Sequence, residues 1–297
     1  MKASDLPVIV GESSPWGRLH LEAHLANTAE DIERNVETNI LRGFTSFTRL
    51  VGTMRGAVSV VGSGPSLKEN WKKLARLQKT GVPIIACNAS FQFLLERGVK
   101  PEYFFCFDAD PLMLEFMTPV DGVKYLMASR CPPKAFDLIE GQKIYLWHTL
   151  GDENIEKILQ KHNLMEPMIN GGSAAVVMAM ALAQTMGFRE EHIWGGDSSF
   201  RNGDTHIRKS TTNEKNMFVM VNKRVFEIAP WMAKQVEDFR ILAPSLQAYH
   251  GVKVIVHGDS LLAHMAMTLG IETDHEPKYK QVFRNVKMKS QLFWNAL

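Results

Sequence analysis

Short apolar runs that stop at polar or glycine-rich turns punctuate the chain from Ala57 onward. Val58–Val61 stops at Gly62-Ser63-Gly64-Pro65-Ser66, Val82–Cys87 at Asn88, and Tyr103–Phe107 at Asp108-Ala109-Asp110. Val123–Ala128, Lys143–Trp147, His192–Trp194 and Val252–Val256 repeat the pattern. These runs are apolar throughout rather than alternating, as strands covered on both faces are, and they predict a mostly parallel sheet flanked by helices. Between them lie helical stretches over Lys68–Gln78, Phe91–Arg97, Asp152–His162, Ala174–Met186 and Pro230–Leu246. The fourth is apolar on every side, which predicts a buried helix, and Gly187 closes it. Met217–Val221 and Arg224–Ile228, joined by Asn222-Lys223, predict a hairpin.

Before Ala57 the period is helical. Ser14-Pro15 and Thr28-Ala29-Glu30-Asp31 read as helix starts, the second as a capping box. Leu21, Leu25, Ile32, Val36, Ile40 and Leu41 recur at helical spacing, and Phe44, Phe47 and Leu50 extend the series. The expected architecture is therefore an irregular lead-in over residues 1–13 and a small helical N-terminal subdomain (1–55). A Rossmann-like α/β domain (56–265) and an amphipathic tail (266–297) follow.

Composition narrows the classes. The chain has 297 residues, 45% of them hydrophobic, enough for a large core in one or two domains. Its net charge of +2, with acids and bases mixed, gives no case for a nucleic-acid surface. Cys87, Cys106 and Cys131 form no CxxC pair and suit buried free thiols, hence a reducing, cytoplasmic setting. No signal peptide, membrane span, repeat or low-complexity tract is expected.

The candidate chemistry lies where strands meet loops, the edge at which open parallel sheets bind ligands. Gly62, Ser63, Gly64, Pro65 and Ser66 form a turn between strand and helix that suits a phosphate. Its glycines allow close approach, and Ser66 caps a helix whose first amides attract anions. Asp108 and Asp110, one residue apart, would clamp Mg²⁺ against substrate phosphates, or else one caps the turn at Pro111 and the other is solvated. Asn88 either meets a ribose or base edge or caps the next helix. Gly171, Gly172 and Ser173 form a second anion-type turn, or a plain cap with close packing. Asp197 heads a polar loop to Asn216, suited to holding a metal or a sugar hydroxyl. His206 is a candidate acid, base or phosphate contact. No His/Cys set has zinc spacing, no Gly-x-Ser-x-Gly elbow occurs, and the Walker Gly-Lys-Ser/Thr ending is missing.

Taken together, several segments resemble the 6-hydroxymethylpterin diphosphokinase-like (MptE-like) family. They are Val61–Leu67, Ala86-Cys87-Asn88-Ala89, Gly98–Glu102 with Asp108, Asn170–Ser173, and Gly196–Phe200 with Thr205-His206. The same motif set occurs in motility accessory factor glycosyltransferases, and the Gly-Ser-Gly-Pro-Ser-Leu turn is similar to bacterial sialyltransferases. The resemblance runs from Ala57 to His206 and more loosely to Met265. It implies a nucleotide-dependent transferase that moves diphosphate from ATP to a hydroxyl acceptor with Mg²⁺. Gly62–Ser66, Asn88, Gly172 and Ser173 would bind the nucleotide, Asp108 and Asp110 the metal, and Asp197 and His206 would face the acceptor. The sequence departs from the related thiamin pyrophosphokinases by Glu102 after Pro101 and by a thinner acidic run at Asp108. One alternative is a glycosyltransferase using a nucleotide-activated sugar. The other is a non-catalytic nucleotide-binding or assembly module. The implied partners are a nucleotide and a small-molecule or glycan acceptor, and the amphipathic tail could pair two copies.

Overall fold

The computed structural model describes residues 8–9, 28–151, 153–207 and 217–275. In chain order its elements are β1 (Val8–Ile9), α1 (Ala29–Ile40), β2 (Thr45–Ser46), β3 (Ala57–Val61), α2 (Leu67–Gln78), β4 (Ile84–Cys87), α3 (Ala89–Leu95), β5 (Tyr103–Cys106) and β6 (Lys124–Ala128). Then come α4 (Pro133–Asp137), β7 (Lys143–Thr149), α5 (Glu153–Lys161), β8 (Met168–Ile169), α6 (Ala175–Met186) and β9 (Glu190–Trp194). The last are β10 (Met217–Val221), β11 (Arg224–Ile228), α7 (Pro230–His250), β12 (Lys253–Val256), α8 (Leu261–Thr268) and β13 (Glu272–Thr273).

The main sheet runs in the order β13-β12-β9-β3-β4-β5-β6-β7-β2, with β8 also on β7. Every pairing in it is parallel. The fold is α/β, as the unbroken apolar runs require. After β2, which lies at the β7 edge, the chain lays down β3, winds outward through β4 to β7, and returns through α6 to place β9 on the other side of β3. That reversal opens a crevice at the carboxyl ends of β3, β4 and β9, where such sheets take ligands.

Helix α6 fills the face beneath that crevice. Met178, Ala179, Met180, Leu182 and Ala183 are all buried, as its lack of a polar side predicts. Gly187 ends it at φ 112°, a left-handed cap that glycine adopts without strain. Thr28 and Asp31 form the expected capping box of α1. Ile32 and Val36 of α1 pack on Ile155, Ile158 and Leu159 of α5.

Two stretches depart from the sequence pattern. Val8–Ile9, expected to be irregular, pair in parallel with Val219 and Met220 of β10, and a two-residue strand is too short to show a period. Phe44, Phe47 and Leu50 do not prolong a helix. Gly43 turns the chain at φ 70°, β2 joins the sheet edge, and Phe47 and Leu50 enter the main core through a 3₁₀ turn. The expected helix start at Ser14-Pro15 and residues 276–297 of the expected tail lie outside the described residues, while residues 266–275 of that tail finish α8 and place β13 in the main sheet. No helix among the described residues is long and apolar enough to cross a membrane. All three cysteines are free and buried.

Candidate active site

A cavity of about 290 Å³ opens at the crevice. Its walls are the turns that follow β3 (Gly62–Gly64), β4 (Asn88), β5 (Asp108) and β9 (Gly195–Ser198). The first turns of α6 and α7 and the loop bearing Thr205 and His206 complete them. Gly62, Ser63, Gly64, Asn88, Asp108, Ser173, Asp197 and His206 are thus brought together, while Pro65, Ser66, Asp110 and Gly172 are not on its walls.

The turn after β3 is built differently from an open phosphate cradle. The amides of Gly62 and Gly64 donate to the carbonyls of Trp194 and Gly195, each at 2.7 Å. The Ser66 amide donates to Asp197 Oδ2 at 2.6 Å, and the Ser66 hydroxyl donates to Asp197 Oδ1. The anion at the start of α2 is therefore the protein's own carboxylate. Ser66 stands at the N-cap of α2 but makes no side-chain capping bond, contrary to the expectation from its position, because its backbone is already helical (φ −61°, ψ −21°) rather than extended. The glycines are needed for this internal approach. A Cβ on Gly64 would lie 2.7 Å from Asp197 Cγ and 2.6 Å from the Gly195 carbonyl oxygen. Asp197 is 4% exposed, and burial pushes its carboxyl up to about 6 against the pull of the two Ser66 donors. It anchors the turn from below.

The turn at α6 repeats the device. The Ser173 amide and hydroxyl donate to Asp238 Oδ2 of α7 at 2.7 and 2.6 Å. Ser173 does not cap α6, because it lies one residue before the N-cap, Ala174. Gly172, at φ 95°, leaves room for Asp238, with which a Cβ would collide at 2.5 Å.

Asn88 is the strained residue of the site. It sits at φ 52° and ψ −127° and makes no capping bond to α3. Its Oδ1 is buried with no hydrogen-bond partner. Ser198 on the facing wall is also left-handed, at φ 49°, and its hydroxyl donates to Gln235 Oε1 at 3.3 Å. Such backbone is held only where surrounding packing enforces it, and it concentrates at ligand sites.

Asp108 and Asp110 do not converge. Asp110 accepts the Leu112 amide at 2.8 Å and caps a 3₁₀ turn over Pro111–Phe116, while Asp108 accepts the Asp110 amide at 3.1 Å. Only Asp108 reaches the cavity. A two-carboxylate Mg²⁺ clamp is not assembled. The donor set suits one carboxylate working with ligand phosphates. Glu102 immediately precedes β5, at the opposite end of the sheet, and accepts the Ile84 amide at 2.7 Å, so it is a structural residue.

The loop carrying His206 is fastened over α2. Lys68 pairs with Asp204 at 2.9 Å, Glu69 with Arg201 at 2.8 Å, and the Ile207 amide donates to the Ser63 carbonyl at 2.8 Å. His206 stacks on Trp231 with ring centroids 5.8 Å apart, and Nδ1 lies 2.9 Å from Thr205 Oγ1. Burial lowers its pKa, so the imidazole is neutral at pH 7 and able to accept a proton. Trp231, Gln235 and Asp238 of α7 were not singled out from the sequence. Their i, i+4, i+7 spacing was the available signal, one helix face that is polar beside the apolar stripe of Met232, Val236 and Phe239.

A crevice at the reversal point of a parallel sheet, walled by tightly held turns, is where an open α/β domain takes a ligand. The profile of the family described as 6-hydroxymethylpterin diphosphokinase MptE-like matches residues 29–203, more than half of the chain, and the chain belongs to that family. The MAf glycosyltransferase from Magnetospirillum magneticum AMB-1 shares the fold at TM-score 0.61 and 17% identity, over 84% of this chain and 38% of that one. The chain thus spans well under half of that glycosyltransferase. A mammalian sialyltransferase gives TM-score 0.39 and 13% identity, over 80% of this chain and 82% of that one. No curated protein matches the sequence.

Proposed function

We propose that the chain is a nucleotide-dependent transferase whose donor is a nucleotide-activated sugar. The observation that carries this reading is Asn88, whose strained backbone and unpaired buried Oδ1 on the cavity wall suit a hydroxyl or amino donor of a nucleoside. The hydroxyl of Ser63 would meet phosphate oxygens, while that of Ser173 stays on Asp238. The engaged amides of Gly62, Gly64 and Ser66, and the withdrawal of Asp110, favour a donor that asks little of a metal.

In this reaction the acceptor hydroxyl attacks the anomeric carbon and the bond from that carbon to the phosphate oxygen breaks. The electron pair leaves with the nucleotide phosphate. The acceptor's proton passes to a base, the role that neutral His206 would take. Positioning supplies most of the acceleration.

The family favours a second reading, diphosphate transfer from ATP. Mg²⁺ on Asp108 would then neutralise phosphate charge.

One experiment separates the two. The full chain is incubated with CMP- and UDP-sugars and with ATP, each with and without Mg²⁺, and nucleotide release is followed. The proposal expects release of CMP or UDP with little metal dependence, reduced at least about 100-fold in His206→Gln. Conversion of ATP to AMP only with Mg²⁺ would establish the diphosphate reading instead. No turnover of any donor would sink both.

A further inference from the structure

A separate cluster stands at the far edge of the sheet. Asp259 follows β12, His264 lies on α8, and His275 follows β13. Asp259 Oδ1 is 3.4 Å from His264 Nε2 and 3.2 Å from His275 Nε2. One ligand atom from each residue lies within 4.8 Å of the others. None of the three lines the cavity.

His264 is the telling member. It is 2% exposed, and neither Nδ1 nor Nε2 makes a hydrogen bond. Buried polar groups are nearly always satisfied, so an imidazole with two orphaned nitrogens beside a carboxylate calls for a missing partner. Tetrahedral ligands at about 2.0–2.2 Å from a metal are separated by about 3.3–3.6 Å. The two separations on Asp259 Oδ1 fall close to that edge length.

We propose that Asp259, His264 and His275 bind a divalent cation of the Zn²⁺ class. Two imidazoles and one carboxylate suit Zn²⁺ and its transition-metal neighbours rather than Mg²⁺ or Ca²⁺. Three protein ligands leave one position to water. The cation ties α8 to the ends of β12 and β13. The linear spacing conceals the set because each ligand comes from a different element.

Arg224 of β11 is the competitor. Its Nη1 pairs with Asp259 Oδ1, and its guanidinium lies over the Phe226 ring at 4.8 Å. The Arg224 side chain is 45% exposed, so it can withdraw into water when the cation arrives. The site is therefore gated by an ion pair, and removing the arginine should not harm it.

The test uses the full chain, stripped with a chelator and titrated calorimetrically with Zn²⁺, with Mg²⁺ as the control. The expected result is one saturable Zn²⁺ site, absent for Mg²⁺, with a raised Tm. Co²⁺ in the same site should give the optical bands of a tetrahedral ion. His264→Gln and His275→Gln should each weaken Zn²⁺ binding by more than about 100-fold, while Arg224→Ala binds at least as tightly as the unmodified chain. If the buried His264 variant does not fold, the half-buried His275→Gln decides the matter. No saturable site, or Zn²⁺ binding that survives in His275→Gln with unchanged affinity, overturns the proposal.

Discussion

At Asn88 the backbone takes a positive-φ conformation that glycine ordinarily fills (φ 52°, ψ −127°). Holding asparagine there costs about 1–3 kcal/mol. Asn88→Gly should therefore raise stability by about 1 kcal/mol in chemical denaturation. If the side chain serves a nucleoside, the same change should weaken nucleotide binding at least about tenfold. A variant that is more stable and binds nucleotide as well as the parent would remove Asn88 from the site. Asp197 offers a second test. Its folded pKa of about 6 stands above the ordinary 3.8 because burial disfavours the charge. Between those values the folded state holds a proton that the unfolded chain has released, so this group's contribution to stability falls as pH rises through that interval. Asp197→Asn keeps the size and can still partner Ser66, but does not titrate. Its stability relative to the parent should improve as pH rises through the interval. A difference that is flat with pH would show that the carboxylate is not held protonated by burial.

Among the elements, the hairpin of β10 and β11 was legible to the residue, and its turn explains why. Asn222 and Lys223 both take positive φ, 50° and 61°, the type I′ geometry whose twist matches the strands. Lysine is the weaker choice at that position. Lys223→Gly should stabilise the protein by about 0.5–1 kcal/mol, read as a shift in denaturation midpoint without a change in slope. A loss of stability would mean that the Lys223 side chain is needed. The helix starts were less legible. Ser66 and Ser173 have the composition of caps, yet both give their donors to carboxylates far along the chain, Asp197 and Asp238. Local pattern shows that a serine precedes a helix. It does not show that another element delivers an acid to the same place. Asp110 is the reverse case, a residue whose spacing pairs it with Asp108 but whose carboxylate is taken by the Leu112 amide two positions on.

For the whole molecule, the parallel sheet and its order of apolar runs followed from the sequence because strands buried on both faces carry no polar alternation. The gathering of strand ends was legible for the same reason, since parallel strands put all their carboxyl ends on one edge. The share of the site given by α7 was hidden, because which helix crosses that edge is decided by packing rather than by local period. This assembly has a measurable consequence. The cavity joins the turns after β3, β4, β5 and β9 to α6 and α7, so a ligand there bridges both halves of the sheet. Such a ligand stabilises only the folded chain, by about 2.7 kcal/mol at a concentration 100 times its Kd. The matching donor should therefore raise the Tm of the whole cooperative transition rather than of a subset of probes. The shift should grow with the logarithm of donor concentration and shrink in Asn88→Gly, whose own Tm starts higher. Zn²⁺ added with the donor should give a second increment that adds to the first, because its cluster shares no residue with the cavity. A donor shift that survives undiminished in Asn88→Gly would place the nucleotide elsewhere on the molecule.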